Sequence, residues 1–149
     1  MAVALHHEII GAGAPVVVLH GLFGAGRNWA TVARALAAEF RFVLVDLRNH
    51  GASPHTDTMT YTDMVDDVRL LLRTLALDDV VLVGHSMGGK AAMAAAQAAP
   101  ESVACLCVSD IAPRAYPPSF DRYAAAMAAL PLAPGLSRGE ADRALADAV

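Results

Sequence analysis

The sequence contains few cysteines, few positive charges and no long apolar run. Eleven Lys and Arg residues stand against fifteen Asp and Glu residues, so the net charge is −4, and Lys90 is the only lysine. The positive residues form no basic stripe, which argues against nucleic-acid binding. The chain begins without a basic segment or an apolar stretch long enough for a signal peptide or membrane span. We therefore expect a cytoplasmic protein without a nucleic-acid or membrane partner.

The two cysteines do not indicate a disulfide or a metal site. Cys105 and Cys107 lie two residues apart in an apolar run, so on a strand they share a face and cannot easily bond to each other. We expect both to be buried free thiols. Because no cluster of His, Asp and Glu has metal-ligand spacing, we expect no metal and no cofactor.

Short β-branched runs alternate with segments of helical periodicity along most of the chain. Such alternation predicts an α/β fold, with a parallel sheet covered by helices on both faces in three layers. In the helix that begins near Thr60, the pattern places Asp63, Asp66 and Asp67 largely opposite the apolar face. The predicted strands are Leu5–Ile10, Pro15–His20, Arg41–Asp46, Asp79–Gly84 and Ser102–Ser109, and the other helices begin at Asn28 and Lys90.

The pattern G-x-S-x-G occurs at Gly84-His-Ser-Met-Gly88, directly after one predicted strand and before a predicted helix. This context is typical of a nucleophile elbow, a strained turn that exposes a serine hydroxyl and needs small neighbours. Ser86 is therefore the candidate nucleophile. The N-terminus of the following helix favours negative charge, so Met87 N–H is the first predicted oxyanion donor. The second is Phe23 N–H, from the glycine-rich loop after the strand at Pro15–His20.

Three other interpretations of the glycine-rich turns are weaker. A serine in a strand-helix turn can be merely a tight turn, although the strand, the helix and the His-Gly loop together argue against this. The stretch Gly84–Ala91 is one residue short of a phosphate-binding P-loop, because Ala91 stands where Ser or Thr would bind Mg²⁺. A dinucleotide-binding pattern fails because Trp29 stands where glycine or alanine is required.

These residues resemble the α/β-hydrolases, and more closely the acyl-esterases of the YbfF type. The resemblance implies hydrolysis of small acyl esters or thioesters through an acyl-enzyme on Ser86, without a cofactor, and it implies that Asp110 is the acid of the triad. It also implies that residues 1–112 are the first part of the hydrolase core and that residues 113–149 begin a helical cap. The matching stretches are Leu19–Gly24, Asp46–Gly51 with Ser53 and Pro54, Gly84–Lys90 and Ser109–Pro113.

The triad lacks an obvious base, since none of the six histidines is suited to the role. His6 and His7 lie near the terminus, His20 is expected to anchor the oxyanion loop, and His85 adjoins Ser86 but leaves the turn in another direction. His50 and His55 could reach the mouth of the pocket. In the family the catalytic histidine lies near the C-terminus, so we expect a C-terminally incomplete hydrolase with little activity of its own. A non-catalytic remnant and another hydrolase chemistry, such as C–C bond hydrolysis, stay open, as does the oligomeric state.

Overall fold

The structure is a computed structural model that describes residues 1–117, 120–131 and 134–146. The chain divides into two compact units, Met1–Pro113 and Arg114–Val149, which are described separately. Among the helices of the described ranges, none has both the length and the apolar character that a membrane span needs.

The first unit contains a five-stranded sheet in the order β1-β3-β2-β4-β5. All neighbouring pairs are parallel except β1 and β3, which are antiparallel. The predicted strands are therefore confirmed, with ends shifted by one or two residues, and the predicted parallel sheet has one antiparallel edge. The strands are β1 His7–Ile10, β2 Ala14–Leu19, β3 Phe40–Val45, β4 Val80–His85 and β5 Val103–Ser109.

Three helices cover the sheet. The helices α2, Tyr61–Thr74, and α3, Met87–Ala98, share one apolar core with inward-facing strand residues such as Val17 and Leu82. The short helix α1, Ala30–Ala35, follows a 3₁₀ turn at Gly26–Trp29 and packs on the opposite face through Ala30 and Ala33. This is the predicted three-layer arrangement, with most of the apolar burial on the α2 and α3 side.

The start of α2 is fixed by a reciprocal cap. Thr60 Oγ1 accepts a hydrogen bond from Asp63 N–H at 3.1 Å, and Asp63 Oδ2 accepts one from Thr60 N–H at 3.0 Å. The backbone and side-chain hydrogen bonds from Thr60 lower the pKa of Asp63 to about 2. The predicted helix start at Thr60 is thus confirmed. The negative charge of Asp63 in the first turn of α2 suits the helix dipole.

The expectation that Asp67 lies on the polar face of α2 is wrong. Its carboxylate is 1% exposed and accepts hydrogen bonds from Arg48 Nε at 2.7 Å and Arg48 Nη2 at 2.8 Å. Arg48 is equally buried, so the two charges form an ion pair that is shielded from solvent. Hydrophobic periodicity treats a carboxylate as a surface residue, whereas a charge-paired carboxylate can be buried.

The expectation that Cys105 and Cys107 are buried is also wrong, although both are free thiols. Both are exposed. They pair in register with Val81 and Val83 on the face that carries α1, but they lie on β5, the last strand of the sheet. β5 is an open edge of the sheet, and both thiols are exposed because α1, although it lies on the same face, packs near the opposite edge against β1 and β3.

The second unit contains α4, Asp121–Ala128, and α5, Arg138–Ala146. Glu140 Oε2 accepts a hydrogen bond from Ser137 N–H at 2.9 Å, which caps the start of α5. Helices here agree with the alanine-rich sequence. The assignment of residues 113–149 to the beginning of a cap stays a prediction, and residues 118–119, 132–133 and 147–149 of that segment lie outside the described ranges.

Candidate active site

Ser86 lies at the turn between β4 and α3, in a strained backbone conformation. Its φ is 49° and its ψ is −115°, and its side chain is half-buried at the start of α3. A residue with a side chain rarely adopts positive φ, and such conformations concentrate at functional sites. Phe23 and Asp110 also have positive φ, at 61° and 57°. Three of the four predicted site residues therefore have unusual backbone geometry.

The elbow is closely surrounded by backbone. A Cβ on Gly88 would collide with the carbonyl oxygens of Leu19 and His20 at the end of β2. A Cβ on Gly84 would collide with the Gly88 carbonyl oxygen and lie 2.6 Å from Gly89 Cα. The glycines of the motif thus allow β2, β4 and the first turn of α3 to approach each other, as the sequence pattern predicts.

The end of β5 is joined to the elbow. Ser86 N–H donates to the Ser109 carbonyl oxygen at 3.0 Å, which brings Asp110 beside the nucleophile turn. The Asp110 side chain is 85% exposed, and its Oδ2 atom lies 3.8 Å from His85 Nε2. His85 projects from β4 on the same face as Val81 and Val83, toward Asp110. The predicted acid is therefore close to the elbow, with His85 as its nearest imidazole among the described ion pairs.

The first turn of α3 supplies backbone donors. The first hydrogen bond within α3 that reaches back to the elbow runs from Lys90 N–H to Ser86 O, at 3.2 Å. Among the contacts of the described residues, Met87 N–H has no acceptor. A free N–H at the beginning of a helix is suited to an anionic oxygen next to Ser86.

The loop after β2 lies against the same turn. A Cβ on Gly21 would be 3.5 Å from Ser86 Cβ and 2.8 Å from His85 Nδ1, so only glycine fits there without a shift. Gly24 N–H donates to the Gly21 carbonyl oxygen at 3.0 Å and closes a four-residue turn. Residues 21–24 are hereafter the oxyanion turn, since this is the segment in which the second donor was predicted.

His20 anchors the oxyanion turn, as the sequence predicts. Its ring is buried, with Nδ1 2.7 Å from the Gly21 carbonyl oxygen and Nε2 accepting from Leu47 N–H at 3.0 Å. Because Nε2 is the acceptor, Nδ1 carries the proton and donates to Gly21. Burial lowers the pKa of His20, in spite of the opposing hydrogen bond to Gly21. The ring is held neutral and links the loops after β2 and β3.

Phe23 N–H, the predicted second oxyanion donor, is engaged by a residue that sequence reasoning placed elsewhere. It donates to His50 Nε2 at 3.2 Å, and His50 Nδ1 lies 2.9 Å from the Arg48 carbonyl oxygen. His50 is buried beside His20, so it supports the turn, and it also lines the cavity next to the turn. Leu22 N–H has no acceptor among the contacts of the described residues.

The segment Asp46–Ser53 fixes the loops around the site. The Asp46 carboxylate accepts hydrogen bonds from Gly26 N–H at 2.7 Å and Ala52 N–H at 2.9 Å. Burial opposes ionisation of this carboxylate, but the two backbone donors and the nearby His6 offset it, so the pKa of Asp46 is lowered. Neither Asp46 nor Arg48 touches the elbow in the described contacts. Asp46 ties the loop after β3 to Gly26, two residues after the oxyanion turn, and Arg48 ties the same loop to α2 through Asp67.

Within the described residues, no histidine forms a hydrogen bond with Ser86. His20 and His50 are occupied at both ring nitrogens, and His6 lies beside Asp46. No group of three or more His, Cys, Asp or Glu side chains in the described ranges could hold a metal ion. The site thus presents a serine, a carboxylate and backbone donors.

The family model for the alpha/beta hydrolase fold matches residues 14–142 of the chain. The chain belongs to the α/β-hydrolase family. This α/β-hydrolase is 47% identical to the sn-1-specific diacylglycerol lipase ABHD11 of Xenopus laevis over 119 residues, which are 77% of this chain and 38% of that protein. It is 41% identical to esterase YbfF of Escherichia coli over 102 residues, which are 68% of this chain and 40% of that protein.

Solved structures agree with the family. A marine microorganism esterase superposes with a TM-score of 0.94 at 36% identity, and the match covers 99% of this α/β-hydrolase and 59% of that chain. An esterase from Exiguobacterium antarcticum gives 0.67 at 32% identity, covering 70% of this chain and 40% of that one. The chain spans about two-fifths of the length of the curated relatives that it matches.

Proposed function

We propose that the protein is a serine hydrolase that cleaves small acyl esters or thioesters, with Ser86 as the nucleophile. The observation that carries the proposal is the conformation of Ser86, at φ 49° between β4 and α3, with the free Met87 N–H beside it. Strain of this kind costs about 1–3 kcal/mol and persists where the surrounding structure requires it. The esterases and lipases among the relatives support the same reaction class.

In the proposed reaction Ser86 Oγ attacks the acyl carbon and the alcohol or thiol departs, leaving an acyl-enzyme that water hydrolyses. Met87 N–H stabilises the negative oxygen of each tetrahedral intermediate, and such a donor is worth about 10²–10³ in rate. Asp110 orients the imidazole base. In the described residues that base is not next to Ser86, so the proposed activity belongs to a protein that supplies one.

The second oxyanion donor is proposed to come from the oxyanion turn. Phe23 N–H can serve only when its hydrogen bond to His50 Nε2 opens, because a single N–H cannot fully satisfy both acceptors. Leu22 N–H, one residue earlier, needs no such exchange. Either donor lies in the oxyanion turn, where a Cβ added to Gly21 would be 3.5 Å from Ser86 Cβ.

A burst experiment with p-nitrophenyl acetate tests the proposal. Wild-type protein at the length its source produces should release p-nitrophenolate in a burst that does not exceed the enzyme concentration, and Ser86→Ala should abolish the burst. Ser102→Ala, a serine in the 3₁₀ turn before β5, is the matched control and should leave the burst unchanged. A burst of equal size in Ser86→Ala would contradict the assignment of the nucleophile.

A non-catalytic role is the second candidate, favoured by the absence of an imidazole bonded to Ser86 in the described part of the chain. It predicts no acylation of Ser86 even over hours at high ester concentration. Acylation that is lost in Ser86→Ala would exclude it. C–C bond hydrolysis shares the nucleophile, so only substrate comparison separates it from ester cleavage.

A further inference from the structure

The loops after β2 and β3 line an open cavity of about 390 Å³ at the oxyanion turn. Phe23 and Gly24 form one wall, and the opposite wall comes from the segment 49–55. The oxyanion turn runs from the elbow to this cavity, because a Cβ added to Gly21 would lie 3.5 Å from Ser86 Cβ while Phe23 and Gly24 line the cavity. The two ends of a four-residue turn lie within about 7 Å of each other. Ser86 itself does not line the cavity, so a group bound here belongs to a part of the substrate away from the reacting bond.

Free side-chain donors line the cavity. Asn28 Oδ1 accepts from Ala25 N–H at 2.6 Å, which leaves the Asn28 NH₂ group for a ligand. Asn49 is held by Thr56, because one of its amide N–H groups donates to Thr56 O and its oxygen accepts from Thr56 N–H. The Arg27 guanidinium and the His55 imidazole are exposed and have no hydrogen bond or ion pair among the described residues.

The charge of the cavity differs from that of the whole chain. The chain has fifteen acidic residues and a net charge of −4, yet no acidic residue is among the described residues that line this cavity. The two carboxylates of the adjoining cavity, which Arg27 also lines, are Glu8 and Asp46. Asp46 is occupied by Gly26 N–H and Ala52 N–H, and Arg27 forms an ion pair with neither carboxylate among the described contacts. A guanidinium and amide donors without a carboxylate suit an anionic oxygen group.

We propose that this cavity binds an anionic group, a carboxylate or a phosphate, carried by the ester or thioester substrate. Arg27 supplies the charge, and Asn28 and His55 supply further donors. The inference rests on the proposed function and narrows its substrate class to esters with a negative charge several bonds from the acyl carbon. Arg27 would then be a specificity residue, acting on binding and not on the chemistry at Ser86.

Binding of monoethyl adipate to the 149-residue chain tests the proposal, with diethyl adipate as the uncharged probe. We expect shifts of the Phe23, Gly24 and Ala25 amide NMR signals with the monoester, and binding at least about tenfold weaker for the diester, the size expected when a charged hydrogen bond is lost. Glycerol 3-phosphate against glycerol provides the phosphate arm. Carboxylate binding alone, or phosphate binding alone, identifies which anion the site takes.

Two charge-matched variants complete the design. Arg27→Gln should weaken binding of the charged probe about tenfold, and Arg27→Lys should restore part of it. Arg34→Gln removes the same charge from an exposed position on α1 outside the cavity and should have no effect. The proposal is overturned if neither anion binds more tightly than its neutral partner, or if Arg27→Gln and Arg34→Gln behave alike.

The anion-binding test and the test of Ser86 as the nucleophile can fail independently of each other. Acetylation of Ser86 by p-nitrophenyl acetate uses an uncharged ester and should not depend on Arg27. Loss of anion preference with a normal Ser86 burst overturns only the anion site. Absence of the burst with intact anion binding overturns only the nucleophile.

Discussion

Individual residues around Ser86 are fixed by contacts that the chain makes over long sequence distances. Ser86 and its glycines were predictable because the motif is local and occurs at a strand-helix boundary. The engagement of Phe23 N–H by His50 was not, since the two residues are separated by 27 positions and no pattern joins them. Positive φ at Asp110 is likewise a property of the folded backbone.

The free energy of unfolding should depend on pH through the protonation of His20. Burial lowers its pKa below the ordinary value of 6.5, so the folded state favours the neutral ring. Stability from this group is complete above pH 6.5 and is lost as the pH falls from 6.5 toward the lower pKa of the folded state. Protonation also removes the acceptor for Leu47 N–H.

Two measurements check this prediction. An NMR titration should place the midpoint of the His20 ring below 6.5, and urea unfolding should show stability falling between pH 7 and 5. His20→Gln should flatten that slope, whereas His55→Gln, at an exposed loop position, should keep it. A His20 midpoint above 6.5 would show that the ring is not held neutral.

At the scale of elements, the strands and helices followed from hydrophobic periodicity, but their polar connections did not. The pattern placed α2 correctly from Thr60 and yet put Asp67 on its outer side. Arg48 lies 19 residues earlier, in a loop, and the bidentate pair is visible only when the loop folds onto the helix. The prediction that Cys105 and Cys107 are buried was wrong for a related reason. The sequence of a strand does not reveal whether the strand lies in the middle of the sheet or at its edge.

Breaking the Arg48–Asp67 pair should be costly. Asp67→Asn removes the buried partner of the Arg48 guanidinium and leaves it only the longer ion pair with Asp63, at 3.4 Å. We expect a loss of about 3 kcal/mol in the free energy of unfolding. Asp66→Asn, at an exposed position of the same helix, should change it by about 0.5 kcal/mol or less. Urea denaturation measures both, and equal effects would mean that the buried pair adds nothing to stability.

Close packing of α3 against β2 depends on Gly88. Gly88→Ala places a Cβ against the Leu19 and His20 carbonyl oxygens, which are backbone atoms and cannot turn aside. We expect a loss of about 3 kcal/mol or more. Gly139→Ala is the control, since the nearest atom to its Cβ would be the tip of Arg143 at 3.7 Å, and melting should stay the same or rise slightly. A Gly88→Ala protein as stable as the control would argue against the close approach.

At the scale of the whole molecule, the family and the α/β architecture were both accessible from the sequence, whereas substrate class was not. The chain spans only about two-fifths of the length of its curated relatives, and β5 ends the sheet with exposed side chains. An exposed edge strand offers unpaired backbone groups to another chain. The behaviour of the 149-residue chain in solution should therefore reflect this edge.

We expect the 149-residue chain to associate through β5. Leu106 lies in the middle of this strand and is 38% exposed. Leu106→Lys adds a charge of the kind that protects natural edge strands and should shift the protein toward monomer in size-exclusion chromatography with light scattering. Leu36→Lys, at an exposed position after α1, adds the same charge elsewhere and should not. A monomeric wild-type chain would contradict the prediction.

The identity of the nucleophile is tested most directly by fluorophosphonate labelling of the protein at the length its source produces, followed by peptide mass spectrometry. We predict a single adduct on Ser86, absent from Ser86→Ala and retained in Ser102→Ala. An adduct on another residue, or labelling that persists in Ser86→Ala, would contradict the assignment of Ser86 as the catalytic serine.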